Sequence, residues 1–245
     1  KEGWGTAALV AGATATAEPF PPEEPVDFTN CAHGSRTRRR EVSLVFNVVE
    51  SEEGLAEVLD TLSARGIRST FFVNGEFIRR HPEAVREIAL SGHEVGSLFY
   101  ASFNLTDARL TVDAGFVRAG LARNEDDYHA ATGRELSPLW HAPYYIVNSA
   151  IIEAAAGMGY LYAGRDVDPL DWVAKSDSNA ARGIYFRAAD LVERVLAEKK
   201  PGSIIPVQIG AAGLARDDYL FQRLDLVVSE LSRQAPAPLR AIWSP

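Results

Sequence analysis

The sequence predicts a single α/β barrel, on three observations. From Glu41 onward, short apolar β-rich runs alternate with amphipathic helical patterns, as repeated βα units around a largely parallel sheet require. About seven such units can be marked off, with no internal repeat dividing them into smaller modules. The 245 residues, 47% of them hydrophobic, are enough to bury one sizeable core.

Val42 to Val49 reads as the first buried strand. In the helix after it, Leu55, Val58, Leu59 and Leu62 fall on one face, and Gly66 supplies a C-terminal stop. Ser69 to Val73 is the next strand. Pro82 suits the first turn of the following helix, where its missing N–H is no loss; Val85, Ile88 and Ala89 point inward and Gly92 ends it. A strand near His93 to Phe99 precedes a helical stretch from about Asp107 to Arg123. Leu139 to Ala142 follows as a strand, and Asn148 caps a helix carrying Ile151, Ile152 and Ala155.

The pattern continues with a strand at Tyr160 to Ala163, a helix from Ala188 to Lys199 and a strand at Ser203 to Ile209. A helix from Tyr219 to Arg233 and a strand at Arg240 to Trp243 close the chain. Residues 1–40, with Pro19, Pro21, Pro22 and Pro25, read as an extension laid over a domain spanning 41–245. Within it, Thr6 to Ala17 is too polar for a signal-peptide tail and reads as a strand or hairpin.

Composition excludes some function classes. A net charge of −8 argues against nucleic acid or an anionic membrane surface as the main partner. Arg36 and Arg38-Arg39-Arg40 form the one basic cluster. It reads as a solvated turn, with phosphate or acidic-glycan binding as the alternative. Cys31 is alone and forms no internal disulfide. No apolar run reaches the roughly eighteen residues of a membrane helix.

A series of ordered motifs narrows the class further. These are Val42-Ser43-Leu44-Val45-Phe46-Asn47-Val48, Ser69-Thr70-Phe71-Phe72-Val73-Asn74-Gly75, and Gly92-His93-Glu94-Val95-Gly96 continuing through Leu98 and Ser102 to Thr106. Trp140-His141-Ala142-Pro143-Tyr144, Asp168-Pro169-Leu170-Asp171-Trp172 and Gly202 to Gln208 complete the series. In this order and spacing they resemble the motifs of the NodB-type polysaccharide deacetylases, carbohydrate esterase family 4, over roughly residues 41 to 245.

The resemblance implies a distorted (β/α)7-type barrel that hydrolyses N-acetyl groups of polysaccharides such as peptidoglycan or chitin, with a divalent metal, in an envelope or secreted setting. It also assigns positions. Asn47 stands where the family has its general base. Val48, Leu98 and Ser102 stand at the metal-ligand positions, and Gln208 at that of the general acid. His141 replaces an Arg that orients the base. Asp171 matches the Asp that supports the acid, and Trp140, Pro143, Tyr144 and Trp172 are implied to line the substrate groove.

Such chemistry needs a metal to polarise the carbonyl and acidify a water, a base to take its proton and an acid for the leaving amine. Val48 and Leu98 carry no lone pair, and Ser102 offers only a neutral hydroxyl. Asn47 has no useful basicity, and Gln208 cannot cycle a proton. The sequence therefore reads as a catalytically inactive member of the family, without cofactor, binding a glycan or a protein partner through the vestigial cleft. Two rivals stand beside it: a metal-independent hydrolase using His141 with Asp171, and a structural or regulatory partner of an active relative.

Some side chains keep two readings. His141 either pairs with Asp168 or Asp171 or fills the space of the lost Arg against Asn47 or Asp171. Asp166, Asp168 and Asp171 either hold a cation or solvate and cap a loop. Trp140, Tyr144, Tyr145 and Trp172 either stack on sugar or pack the core. His93 reads as structural.

Overall fold

The computed structural model describes residues 29–38, 41–176, 183–211, 215–231 and 235–236. The expected strand at Arg240 to Trp243, the Thr6 to Ala17 segment, and Arg39 and Arg40 lie outside these residues.

Seven parallel strands form a curled sheet: β1 (Asn30–Cys31), β2 (Glu41–Val48), β3 (Thr70–Val73), β4 (Glu94–Ser97), β5 (Leu139–Trp140), β6 (Leu161–Ala163) and β7 (Ile204–Ile209). Their order is β1-β6-β5-β4-β3-β2-β7, and β8 (Ala235–Pro236) pairs with the start of β2. The sheet closes irregularly between β6, next to its β1 end, and β7 at its other end. In place of a ladder between β6 and β7, the Asp166 and Val167 N–H groups both donate to the Ile204 carbonyl, at 3.1 and 3.2 Å. This is the distorted (β/α)7 barrel that the sequence predicted.

Alternation along the strands sorts residues into two layers. Val42, Leu44, Phe46 and Val48 of β2 join the core under the helices, with Leu55, Val58, Leu59 and Leu62 of α1 (Leu55–Ala64). Val45 and Val49 turn the other way, into the barrel, beside Phe72, Leu98, Leu139, Leu161 and Ile204. Burial of each such side chain contributes about 1.5–3 kcal/mol.

Among the described residues the other α-helices are α2 (Gly75–Arg80), α3 (Pro82–Leu90), α4 (Ala114–Thr132), α5 (Ser149–Ala156), α6 (Ala188–Glu198) and α7 (Leu224–Leu231). Asn148 caps α5 by accepting from the Ile151 N–H, as expected. Three expectations need correction. The helix expected over Asp107 to Arg123 begins at Ala114, where the Asp113 side chain accepts from the Phe116 N–H, and it runs on to Gly133 in a left-handed turn. The α2 helix went unforeseen, because six residues are too short for periodicity to show. The helix expected from Tyr219 opens as a 3-10 turn, Leu220–Arg223, before α7. Among the described residues no helix is long and apolar enough to cross a membrane.

Candidate functional site

A cavity of about 480 Å³ opens at the C-terminal ends of the strands, the end at which barrels of this kind carry their sites. Strand register builds its floor. Asn47 of β2 lies opposite Gln208 of β7 on one side and Phe72 of β3 on the other, and Phe72 lies opposite Gly96 of β4. Gly96 leaves that level open. A Cβ there would come within 2.7 Å of both the Phe72 ring and the Leu139 carbonyl oxygen.

Phe72 supports His141, whose ring meets it edge-on at 4.6 Å between centroids. On the other side Tyr145 stacks parallel to His141 at 4.1 Å. The Arg165 guanidinium lies 4.8 Å over the Tyr145 ring and pairs with Asp168 at 3.0 Å. The His141 Nε2 is 3.0 Å from Asn47 Oδ1, and its Nδ1 is 3.0 Å from the Ala142 carbonyl oxygen. Burial pushes the imidazole down to about 3, so it is neutral at physiological pH.

Gln208 is held from both ends. Its backbone N–H donates to Asp171 Oδ2 at 2.7 Å, and its side-chain Nε2 donates to the carbonyls of Asn47 and Ile209 at 3.1 and 3.3 Å. Asp171 is buried, and burial raises its carboxyl from 3.8 to about 7.

Among the described residues four that are not glycine have positive φ, and all adjoin this cavity. Tyr144 (60°) and Tyr145 (59°) line it, Phe99 (62°) follows Leu98, and Leu170 (67°) precedes Asp171. Each costs on the order of 1 kcal/mol. The Phe99 turn is held by a buried relay: Ser97 Oγ accepts from the Phe99 N–H at 3.1 Å and from Asn124 Nδ2 at 2.8 Å.

Comparison with known proteins identifies the scaffold. Residues 34–163 match the family described as Polysaccharide deacetylase. The chain belongs to the polysaccharide deacetylase family. A chitooligosaccharide deacetylase of Sinorhizobium fredii is 29% identical over 86% of this chain and 92% of its own length. Two solved structures share the fold. One is a family 4 carbohydrate esterase pseudoenzyme from Bacillus anthracis, with TM-score 0.70 and 20% identity over 85% of this chain and 66% of that one. The other is a peptidoglycan N-acetylglucosamine deacetylase, with TM-score 0.74 and 22% identity over 88% of this chain and 93% of that one.

The metal that this family implies does not fit the residues present. Leu98 and Ser102 line the cavity and offer it an isobutyl group and a hydroxyl. Val48 does not reach the cavity. It lies on the outer face of β2 in the core under the helices, and its neighbour Val49 points in instead. Among the described residues no three His, Cys, Asp or Glu side chains stand close enough to hold an ion.

Other expectations divide. Pro143, Tyr144 and Trp172 line the cavity, but Trp140 does not. Alternation along β5 turns its ring outward, where it is fully buried against Tyr162 at 5.3 Å. His141 and Asp171 share the cavity, yet no hydrogen bond joins them; the imidazole faces Asn47 instead. Asp166 sits apart, bound to Arg36 and to Ser203. Arg165, Glu50 and Ile146 also line the cavity. No motif points to them, and the paired Tyr144-Tyr145 strain leaves no mark on the sequence either.

Proposed function

We propose that this chain has lost deacetylation and keeps its cleft to bind a glycan. The observation that carries this reading is the convergence of Asn47, Gln208, Leu98 and Ser102 on one cavity, in the family's positions for base, acid and two metal ligands. None of the four can do that chemistry. The neutral His141 supplies no substitute, because a base with a pKa of about 3 is too weak to draw a proton from a water.

The strain around the cavity supports binding over decay. Left-handed Phe99, Tyr144, Tyr145 and Leu170 persist only where surrounding structure enforces them, and such residues cluster at ligand sites. Exposed Tyr144 and Trp172 offer ring faces to a pyranose. The relatives named for chitooligosaccharide and peptidoglycan suggest polymers of N-acetylated or partly deacetylated amino sugars, met in the cell envelope or outside the cell.

Co-sedimentation with insoluble chitin, chitosan and purified peptidoglycan tests the reading. Retention on at least one of them, displaced by the matching soluble oligomer, is the expected result. A protein left in the supernatant with all three sinks the proposal.

A further inference from the structure

We propose that this cavity selects a cationic amine carried on a sugar ring, so that the chain prefers the de-N-acetylated polymer to the acetylated one. The proposal rests on the glycan-binding reading of the same cleft and specifies its ligand.

It starts from Asp171, 5% exposed and part of the cavity wall. Its Oδ2 accepts one backbone N–H, from Gln208. Among the described residues no cation pairs with it. His141 is turned to Asn47 and the Ala142 carbonyl. Arg165 is committed to Asp168 and to the Tyr145 ring. Arg216 acts on Asp171 from a distance, with its donors taken by the carbonyls of Val173, Phe186 and Asp218. Where the family has an imidazole, Gln208 brings a neutral amide that donates elsewhere.

A buried carboxylate met by amide dipoles alone is costly, and a ligand that brings the missing cation recovers that cost. The surroundings agree in sign. Glu50 adds a second carboxylate to the lining, while Arg165 and Asp168 offset one another. Tyr144, 59% exposed, and Trp172, 39% exposed, present ring faces that attract both a pyranose and an ammonium. An acetamido group meets a carboxylate with one neutral N–H, whereas an ammonium brings three donors and a full charge.

Calorimetric titration with glucosamine oligomers and N-acetylglucosamine oligomers of equal length, at neutral pH, decides the matter. Wild type is expected to bind the amine form about ten-fold tighter, a difference of about 1.4 kcal/mol. In Asp171→Asn, which keeps an acceptor for the Gln208 N–H, that preference is expected to shrink to within about two-fold. Near-ultraviolet circular dichroism verifies its fold.

Equal or weaker binding of the amine oligomer by wild type overturns the proposal and leaves the glycan-binding reading standing. Binding of neither oligomer overturns both. A preference that survives in folded Asp171→Asn overturns the role given to Asp171. If that variant does not fold, the wild-type comparison decides alone.

Discussion

The His141 Nε2 lies 3.0 Å from the Asn47 side-chain oxygen, so an amide occupies the place where the family's chemistry requires a basic carboxylate. A neutral imidazole has one N–H, and the Ala142 carbonyl at Nδ1 can only accept. The Nδ1–H tautomer satisfies that carbonyl. Turning the Asn47 amide by half a rotation then presents its NH2 to Nε2 and its oxygen to the Tyr145 hydroxyl, its neighbour at 3.4 Å. Nitrogen NMR of His141 is expected to report the Nδ1–H form. In Asn47→Asp the new carboxylate is expected to raise the imidazole by several units from about 3. A titration unchanged by that substitution contradicts the contact.

Asp171 and His141 tilt the pH dependence of stability in opposite directions. Burial holds His141 at about 3 against 6.5, so the unfolded chain takes that proton first. Its contribution is full above 6.5 and lost as pH falls towards 3. Burial holds Asp171 at about 7 against 3.8, so the folded chain keeps that proton longer. Its contribution is full below 3.8 and lost as pH rises towards 7. In urea denaturation, Asp171→Asn is therefore expected to gain on wild type steadily between these two values, by about 1–3 kcal/mol at neutral pH. A difference independent of pH argues that Asp171 is not the group titrating.

Gly96 gives the Gly92-to-Gly96 frame a packing role independent of any metal. A Cβ at Gly96 would press on the Leu139 carbonyl and the Phe72 ring, and Phe72 supports His141. Gly96→Ala is expected to cost about 2–3 kcal/mol in thermal or chemical denaturation. A loss below about 0.5 kcal/mol shows that the β4–β5 contact can relax.

Tyr144 and Trp172 separate binding from stability. Both are exposed at the cavity, so Tyr144→Ala and Trp172→Ala are each expected to weaken glycan binding about ten-fold. The melting temperature of Tyr144→Ala is expected to fall little, because the ring is exposed and Ala keeps the same left-handed φ of 60°. Trp172→Ala also loses its hydrogen bond to Asp168. Full affinity in both variants places the glycan elsewhere.

The barrel was legible because its longest elements carry strong periodicity. The outward set Val42, Leu44, Phe46, Val48 on β2 meets the Leu55, Val58, Leu59, Leu62 stripe of α1. The start of α4 was hidden by Leu110 and Val112, which continue a helical spacing that Asp113 interrupts with its own side-chain cap. Trp140 was misplaced because β5 has two residues, too few to show which face the ring takes. Asn47, Leu98, Ser102 and Gln208 reached the cavity as the motifs implied. Arg165 stacked on Tyr145 did not announce itself, because that contact depends on two consecutive left-handed residues that no local pattern encodes.

The most direct test of the account is mass spectrometry of N-acetylated chito-oligomers incubated with the protein and added zinc, cobalt or manganese. The account predicts recovery of every acetyl group under each condition. Release of acetate that depends on the metal, and is abolished by a chelator, would contradict it.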